Sequence, residues 1–277
     1  MIKRTFQDRG PDYCGELALL NLTDLLSILS WNLQNGILVY RMSSDIFPWM
    51  SEYEITELKN FADIEPVLLQ IGDFVKASGM RVSMHPGQFD VLCSPNPAVV
   101  TKTIKDLNQH AQIMDLMGLP ADPSFPINIH LGGTYGDKVS AAQRFCENFE
   151  LLNPTTRARL VVENDDKESA FSIIQLFTHI YSELGTPLTF DYFHHQFHSD
   201  GLTTQEAAEL ASGTWPEGIT PLFHYSESKN VNENVKGNPR AHADYVFARI
   251  DDFGLTIDVD LEAKAKELAL FKYRELV

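Results

Sequence analysis

The chain has 277 residues, 44% of them hydrophobic, enough for one large core in a single domain spanning 1–277. No apolar run approaches the roughly 20 residues that cross a bilayer, and the N-terminal MIKRTFQDRGPDYCGEL lacks the apolar stretch of a signal peptide, so a cytoplasmic protein with no membrane partner is expected. A net charge of −16 argues against a nucleic-acid partner unless a local basic strip and bound cations offset it; three divalent ions would bring it to about −10.

In chain order, Leu22, Leu25, Leu26 and Leu29 recur at helical spacing and predict a helix over 16–31. GILVYRM at 36–42 reads as a strand, and 56–78 as an amphipathic helix that Gly79 ends and Pro66 kinks or divides. A strand at 80–84 leads into HPGQFD (85–90), followed by a helix over 97–117 between Pro97 and Gly118. Strands at 127–131, 159–163, 187–191, 219–224 and 256–261 alternate with helices over 138–152, 168–184, 204–211, 240–250 and 262–276. Residues 212–240 read as a long loop. Short branched-apolar strands alternating with helices imply an α/β fold with a covered parallel sheet, here a TIM (β/α)8 barrel. Seven strands are visible where a barrel needs eight; the polar MIKRTFQDRG has no buried-strand character, so the first strand is either missing or altered. Cys14, Cys93 and Cys146 stand alone, as expected of reduced thiols.

Ligand-type residues close six of these strands. His85, His130, Glu163, Asp191 with His194, His224 and Glu262 follow at steps of 45, 33, 28, 33 and 38 residues. A β/α unit repeats roughly every 30 residues, and barrel active sites sit at the C-terminal strand ends. A lone histidine after a strand is usually structural, and single carboxylates usually cap or face solvent, as Asp165 and Asp166 do before the next helix; six successive strand ends are harder to assign to chance. His110, on a helix with Gln109 and Gln112, reads as a surface residue, and His179 and His198 are similarly unconvincing as ligands. A mixed His/Asp/Glu set suits Mn²⁺ or Zn²⁺, with Mg²⁺ also acceptable, and clustered divalent ions support phosphoryl displacement. In HPGQFD, Pro86 and Gly87 make a tight turn that would project Gln88 and Phe89, an amide and an aromatic suited to wedging into a base stack; the alternative is that Phe89 packs inward.

YRMSSDIFPW (40–49), HPGQF (85–89), INIHLGGTYGDK (127–138), RLVVENDD (159–166), DYFHH (191–195), HYS (224–226), AHADY (241–245) and DVDLEAKAKE (258–267) together resemble the UV damage endonuclease family, from about residue 16 to the C-terminus and in the family's order. That family is similar to endonuclease IV and the xylose isomerase barrels. The resemblance implies a TIM barrel with up to three metal ions, usually manganese, that incises double-stranded DNA 5′ to UV photoproducts such as cyclobutane dimers and 6-4 products, as a monomer that is nucleoid-associated when it acts. It places metal ligands at His85, His130, Glu163, Asp191, His194, His224, His242 and Glu262, with Glu163 and Glu262 bridging. Glu163, Glu262, His224 and Asp191 become the catalytic set, Gln88 and Phe89 the lesion-probing pair, and Arg41, Ser43, Lys138 and Tyr225 candidate phosphate contacts.

Three departures stand out. The family's opening strand is not recognisable; the family lysine two residues before the HYS histidine is Leu222, with Lys229 lying beyond the strand; and Glu52 stands where a histidine is expected after FPW. Two other readings stay open: a non-catalytic or weakly active DNA-binding descendant, and a metal-dependent sugar isomerase-like barrel enzyme.

Overall fold

A computed structural model describes residues 1–233 and 235–277. They form two compact units, one of residues 1–129 and 147–160, the other of residues 130–146 and 161–277.

The first unit opens with helix α1 (Lys3–Gln34). Gly10, at φ 70°, bends it just before Pro11, a left-handed conformation that glycine adopts without steric penalty. The opening ten residues are therefore helical or bent, not a strand, and the sequence-predicted helix over 16–31 is the inner part of a longer one. Leu22, Leu25 and Leu29 are buried along its inward stripe. Strand β1 (Val39–Met42) follows, then helix α2 (Phe61–Ser78), strand β2 (Arg81–Met84) and helix α3 (Pro97–Leu116). Pro66 lies inside α2 without dividing it, and the helix ends at Gly79 in the left-handed conformation. Ile64, Leu68, Ile71 and Val75 of α2 are fully buried. A Cβ on Gly72 would lie 1.6 Å from the Met117 carbonyl oxygen, so this close approach admits only glycine. Strands β1 and β2 pair in parallel, and Met84 aligns with Ile127 of strand β3 (Ile127–His130). His110, expected at the surface, is instead 1% exposed, its Nδ1 2.9 Å from the Asp106 carbonyl. The polar residues flanking it concealed that position: Gln109 is also buried and donates to the Tyr53 carbonyl at 2.7 Å.

Beyond His130 come helix α4 (Lys138–Phe149), helix α5 (Pro154–Arg159) and strand β4 (Leu160–Glu163). In the second unit, helix α6 (Ile173–Leu176), a π-helical turn (Phe177–Tyr181) and helix α7 (Ser182–Leu184) lead to strand β5 (Leu188–Thr189). Helix α8 (Tyr192–Phe197), helix α9 (Thr204–Ser212), strand β6 (Leu222–Tyr225), helix α10 (Lys229–Asn232), strand β7 (Asp258–Leu261) and helix α11 (Glu267–Arg274) complete the chain. Strands β4 and β5 are parallel, as are β6 and β7. Phe190, Phe193 and Phe223 form an aromatic core with Tyr192, with Phe190 and Phe223 meeting edge to face at 5.7 Å.

Two further expectations are corrected. Ser172, not Asp165 or Asp166, caps the helix after β4, through a capping box with Gln175; Asp165 accepts from the Lys167 amide in a turn, and Asp166 pairs with Arg240 at 2.8 Å. Residues 240–250, expected to be helical, are irregular because a buried carboxylate, Glu227, takes the Phe247 and Ala248 amides that a helix would use internally. Among the described residues no helix is long and apolar enough to cross a membrane.

Candidate metal centre

The parallel register of the second unit brings the strand ends together. Glu163, the last residue of β4, lies opposite Thr189. Side chains alternate along a strand, so Asp191, two residues on, faces the same side as Thr189. Asp191 bridges to His224, His224 pairs with Asp260, and Glu262 follows two residues later. A glutamate, an aspartate, a histidine and a glutamate are thus delivered to one end of neighbouring strands.

The result is a dense set of donors. Potential ligand atoms of Glu163, Asp191 and His194 all lie within 4.8 Å of one another, as do those of Asp191, His224 and Glu262. His224 Nδ1 sits 3.1 Å from Glu163 and 3.5 Å from Glu262, with the ring 1% exposed. His194 Nδ1 is 3.3 Å and His130 Nε2 3.9 Å from Glu163, and His242 Nδ1 is 3.6 Å from Glu262.

Hydrogen bonds fix several of these rings. His194 Nδ1 lies 2.9 Å from the Asn164 carbonyl, and His242 Nδ1 lies 3.0 Å from the Glu262 carbonyl. A carbonyl only accepts, so each Nδ1 donates; once a ring is neutral, as metal binding requires, Nε2 is the nitrogen that keeps the lone pair. In the first unit His85 does the same toward the Pro86 carbonyl at 3.1 Å. Asn164, whose role sequence reading missed, holds the strand ends in place: its amide group donates to the Asp191 carbonyl at 3.0 Å and accepts from the Asp191 amide at 2.8 Å. The only signal was its place directly after Glu163.

Burial and charge oppose each other here. Burial alone would raise the Glu163 pKa, but the charges of His224 and His130 and hydrogen bonds from His194 and His224 hold it well below the usual range. Burial lifts Asp191 to about 7, with Glu163 and Glu262 adding to the rise. Burial would lower His194, but the Asp191 charge and the Glu163 bond outweigh it and push it up to about 11. A protonated His194 thus offsets part of the carboxylate charge where a cation would otherwise do so. Asp191 Oδ1 accepts from the His194 amide at 2.7 Å, while its buried Oδ2 finds no hydrogen-bond donor among the described residues. A buried carboxylate oxygen without a donor is costly, and a divalent ion would satisfy it, so the donor set fits a metal.

The remaining candidates fall as follows. Phe89 is 81% exposed and Gln88 is exposed at the loop tip after β2, so Phe89 does not pack inward. Arg41 is half-buried on β1; Ser43 is exposed, and its hydroxyl accepts from the Asp45 amide at 3.2 Å. Lys138 Nζ donates to Gln175 at 2.8 Å. Tyr225 is buried, its hydroxyl donating to Glu227 at 3.1 Å. Leu222 is buried on β6, and Lys229 is held by Asp244 at 2.9 Å and Glu233 at 3.5 Å. Glu52 is paired with Lys102 at 2.6 Å. His198 is buried, with Nδ1 3.3 Å from the Asp165 carbonyl.

Parallel strands alternating with helices, with clustered histidines and carboxylates at the strand ends, define an α/β enzyme of modified TIM-barrel type with candidate sites for divalent metals. The profile of the family described as UV-endonuclease UvdE matches residues 2–276. The chain is 34% identical over 274 residues to the UV DNA damage endonuclease of Bacillus pumilus, covering 97% of this chain and 84% of that one. It is 34% identical to the UV DNA damage endonuclease of Clostridium perfringens, covering 96% of this chain and 64% of that relative's length. The crystal structure of SacUVDE superposes with a TM-score of 0.86 at 31% identity, covering all of this chain and 91% of that one. The structure of L-ribulose 3-epimerase, at 17% identity and a TM-score of 0.56, covers 90% of this chain and 81% of that one and shares the fold alone. The chain belongs to the UV-endonuclease UvdE family and is an enzyme of the nuclease class.

Proposed function

We propose that this enzyme is a metal-dependent DNA repair endonuclease that cuts the backbone of double-stranded DNA on the 5′ side of UV photoproducts. The observation that carries the reading is the convergence of Glu163, Asp191, His194, His224 and Glu262 in a chain of this family. Divalent ions bound there, Mn²⁺ first among them, would supply Lewis-acid activation of water and charge neutralisation at the attacked phosphate. Glu163 and Glu262 are the proposed bridging carboxylates; His130 and His242 complete the ligands of this unit, and His85 stays in the set on the strength of the sequence resemblance. Gln88 and Phe89, exposed on a tight turn, suit contact with a weakened base stack; removing damaged bases from a stack takes less energy than removing intact ones, which itself confers selectivity. Arg41 and Ser43 remain proposed phosphate contacts, as do Lys138 and Tyr225, although Gln175 and Glu227 already engage the last two.

The test is a labelled duplex with one cyclobutane pyrimidine dimer, incubated with enzyme and Mn²⁺ at low salt beside the undamaged duplex. One cut 5′ to the lesion, absent from the control and abolished by chelator, is expected. Buried Leu222 in place of the family lysine, and Glu52 engaged by Lys102, favour a second reading, a DNA-binding descendant with impaired turnover. Lesion binding without a cut would support it.

A further inference from the structure

Glu227 lies three residues past His224 and is 7% exposed, a burial that carboxylates seldom show without compensation. Its Oε1 accepts from the Tyr225 hydroxyl at 3.1 Å, the Phe247 amide at 3.0 Å and the Ala248 amide at 2.9 Å, and its Oε2 accepts from the Asn232 side-chain amide. These donors come from β6, α10 and the irregular segment before β7. The same stretch is stitched through its backbone: Ala243 donates to the Glu227 carbonyl at 2.8 Å, Lys229 donates to the Ala241 carbonyl at 2.8 Å, and Ser228 bridges antiparallel to His242. The neighbours of His242 on both sides are therefore bound to residues 227–229. From there the His242 ring meets the Glu262 carbonyl through Nδ1 and packs edge-on against Phe193 at 5.4 Å.

We propose that Glu227 is the positioning residue for His242, its buried carboxylate gathering four donors so that the loop after β6 holds this imidazole beside Glu262. The proposal rests on the reading of His242 as a metal ligand. It also gives Tyr225 a definite task, since a hydroxyl committed to Glu227 orients the carboxylate. Three of the four donors converge on one oxygen, so the position needs an acceptor of carboxylate length. Outer groups that orient a metal-binding histidine typically change metal affinity 10–100-fold when removed, and the same range of about 10–100-fold weaker Mn²⁺ binding is expected for Glu227→Ala. Glu227→Gln keeps one acceptor oxygen, and Asn232 is able to turn its amide to meet the other end, so it should retain most of the affinity.

The experiment measures Mn²⁺ binding by titration calorimetry for the wild-type chain, Glu227→Ala, Glu227→Gln, His242→Ala and the Glu227→Ala/His242→Ala double variant. Hydrogen exchange of the Phe247 and Ala248 amides is followed in parallel without metal. The expected result is weakened binding in Glu227→Ala, near recovery in Glu227→Gln, faster exchange at both amides, and a double variant no weaker than His242→Ala. Wild-type affinity in Glu227→Ala, or losses that multiply in the double variant, would overturn the proposal while leaving His242 a ligand. A His242→Ala variant with unchanged binding would overturn both this proposal and that ligand assignment. Should Glu227→Ala fail to fold, Tyr225→Phe removes one donor only; faster amide exchange with Mn²⁺ binding weakened several-fold supports the proposal, and unchanged values of both contradict it.

Discussion

The strand ends of the second unit and the turn after β2 in the first display polar residues in opposite ways. At the strand ends, Glu163, Asp191 and His224 are almost wholly buried and held by one another. At the turn, Gln88 and Phe89 stand in solvent, Phe89 with 81% of its surface exposed. Buried ionisable groups are costly unless paired or bound to a cation, whereas an exposed ring adds nothing to the core. The first region is therefore held by paired charge, whereas the second leaves two side chains accessible at no cost to the core, as the proposed DNA contact would need. Substitutions should separate them: changes at the strand ends ought to alter metal binding and stability together, and changes at the turn ought to alter recognition alone.

The largest effect is expected at Glu163. Glu163→Gln keeps the shape but removes the charge shared by His130, His194 and His224, and incision should fall about 1000-fold or more, read as a single-turnover rate. Incision within tenfold of wild type would contradict the strand-end account. Next comes Asn164→Ala, which removes the two side-chain bonds that fix Asp191; Mn²⁺ affinity should weaken about 10–100-fold, and titration calorimetry decides it.

The pH response sharpens the contrast. Without metal, Asp191 has its pKa raised from about 4 to about 7, so its contribution to stability is complete below about pH 4 and lost as pH rises through 7. His194, raised to about 11, contributes fully below its unfolded pKa near 6.5 and keeps part of that contribution until about pH 11. Metal must displace these protons, so the rise in Tm produced by Mn²⁺ should grow between pH 5.5 and 8. A rise that does not change across that range would show that neither group is a ligand. The smallest effect on stability is expected at the turn. Phe89→Ala should leave Tm within about 1 °C, because an exposed ring makes little packing, while damaged-over-intact binding should fall about 5- to 100-fold, the range of one lost base–aromatic stack. Gel-shift titrations on both duplexes measure it.

Much of this was legible in the sequence because strand, ligand type and position coincide: the seven branched-apolar runs are the seven strands found among the described residues, and Glu163, His130 and the others fall at or just past their ends. Residues 240–250 differ from the sequence expectation because RAHADYVFARI has helical periodicity, while the Glu227 bonds that prevent the helix come from another part of the chain. Asn164 and Glu227 were missed for a related reason: each acts through backbone groups remote in sequence, and an amide or a lone glutamate carries no pattern of its own. The polar first ten residues gave the correct negative, since no strand forms there and α1 occupies the place.

The most direct measurement of the central claim is incision of dimer-containing DNA recorded on the same metal-stripped sample as Mn²⁺ is returned stepwise, with bound metal counted at each step. The account predicts no cutting without metal, and a single 5′ cut that rises as two or more ions per chain bind and is lost again on chelation. Cutting by the metal-free chain, or full occupancy with no cut in damaged DNA, would contradict it.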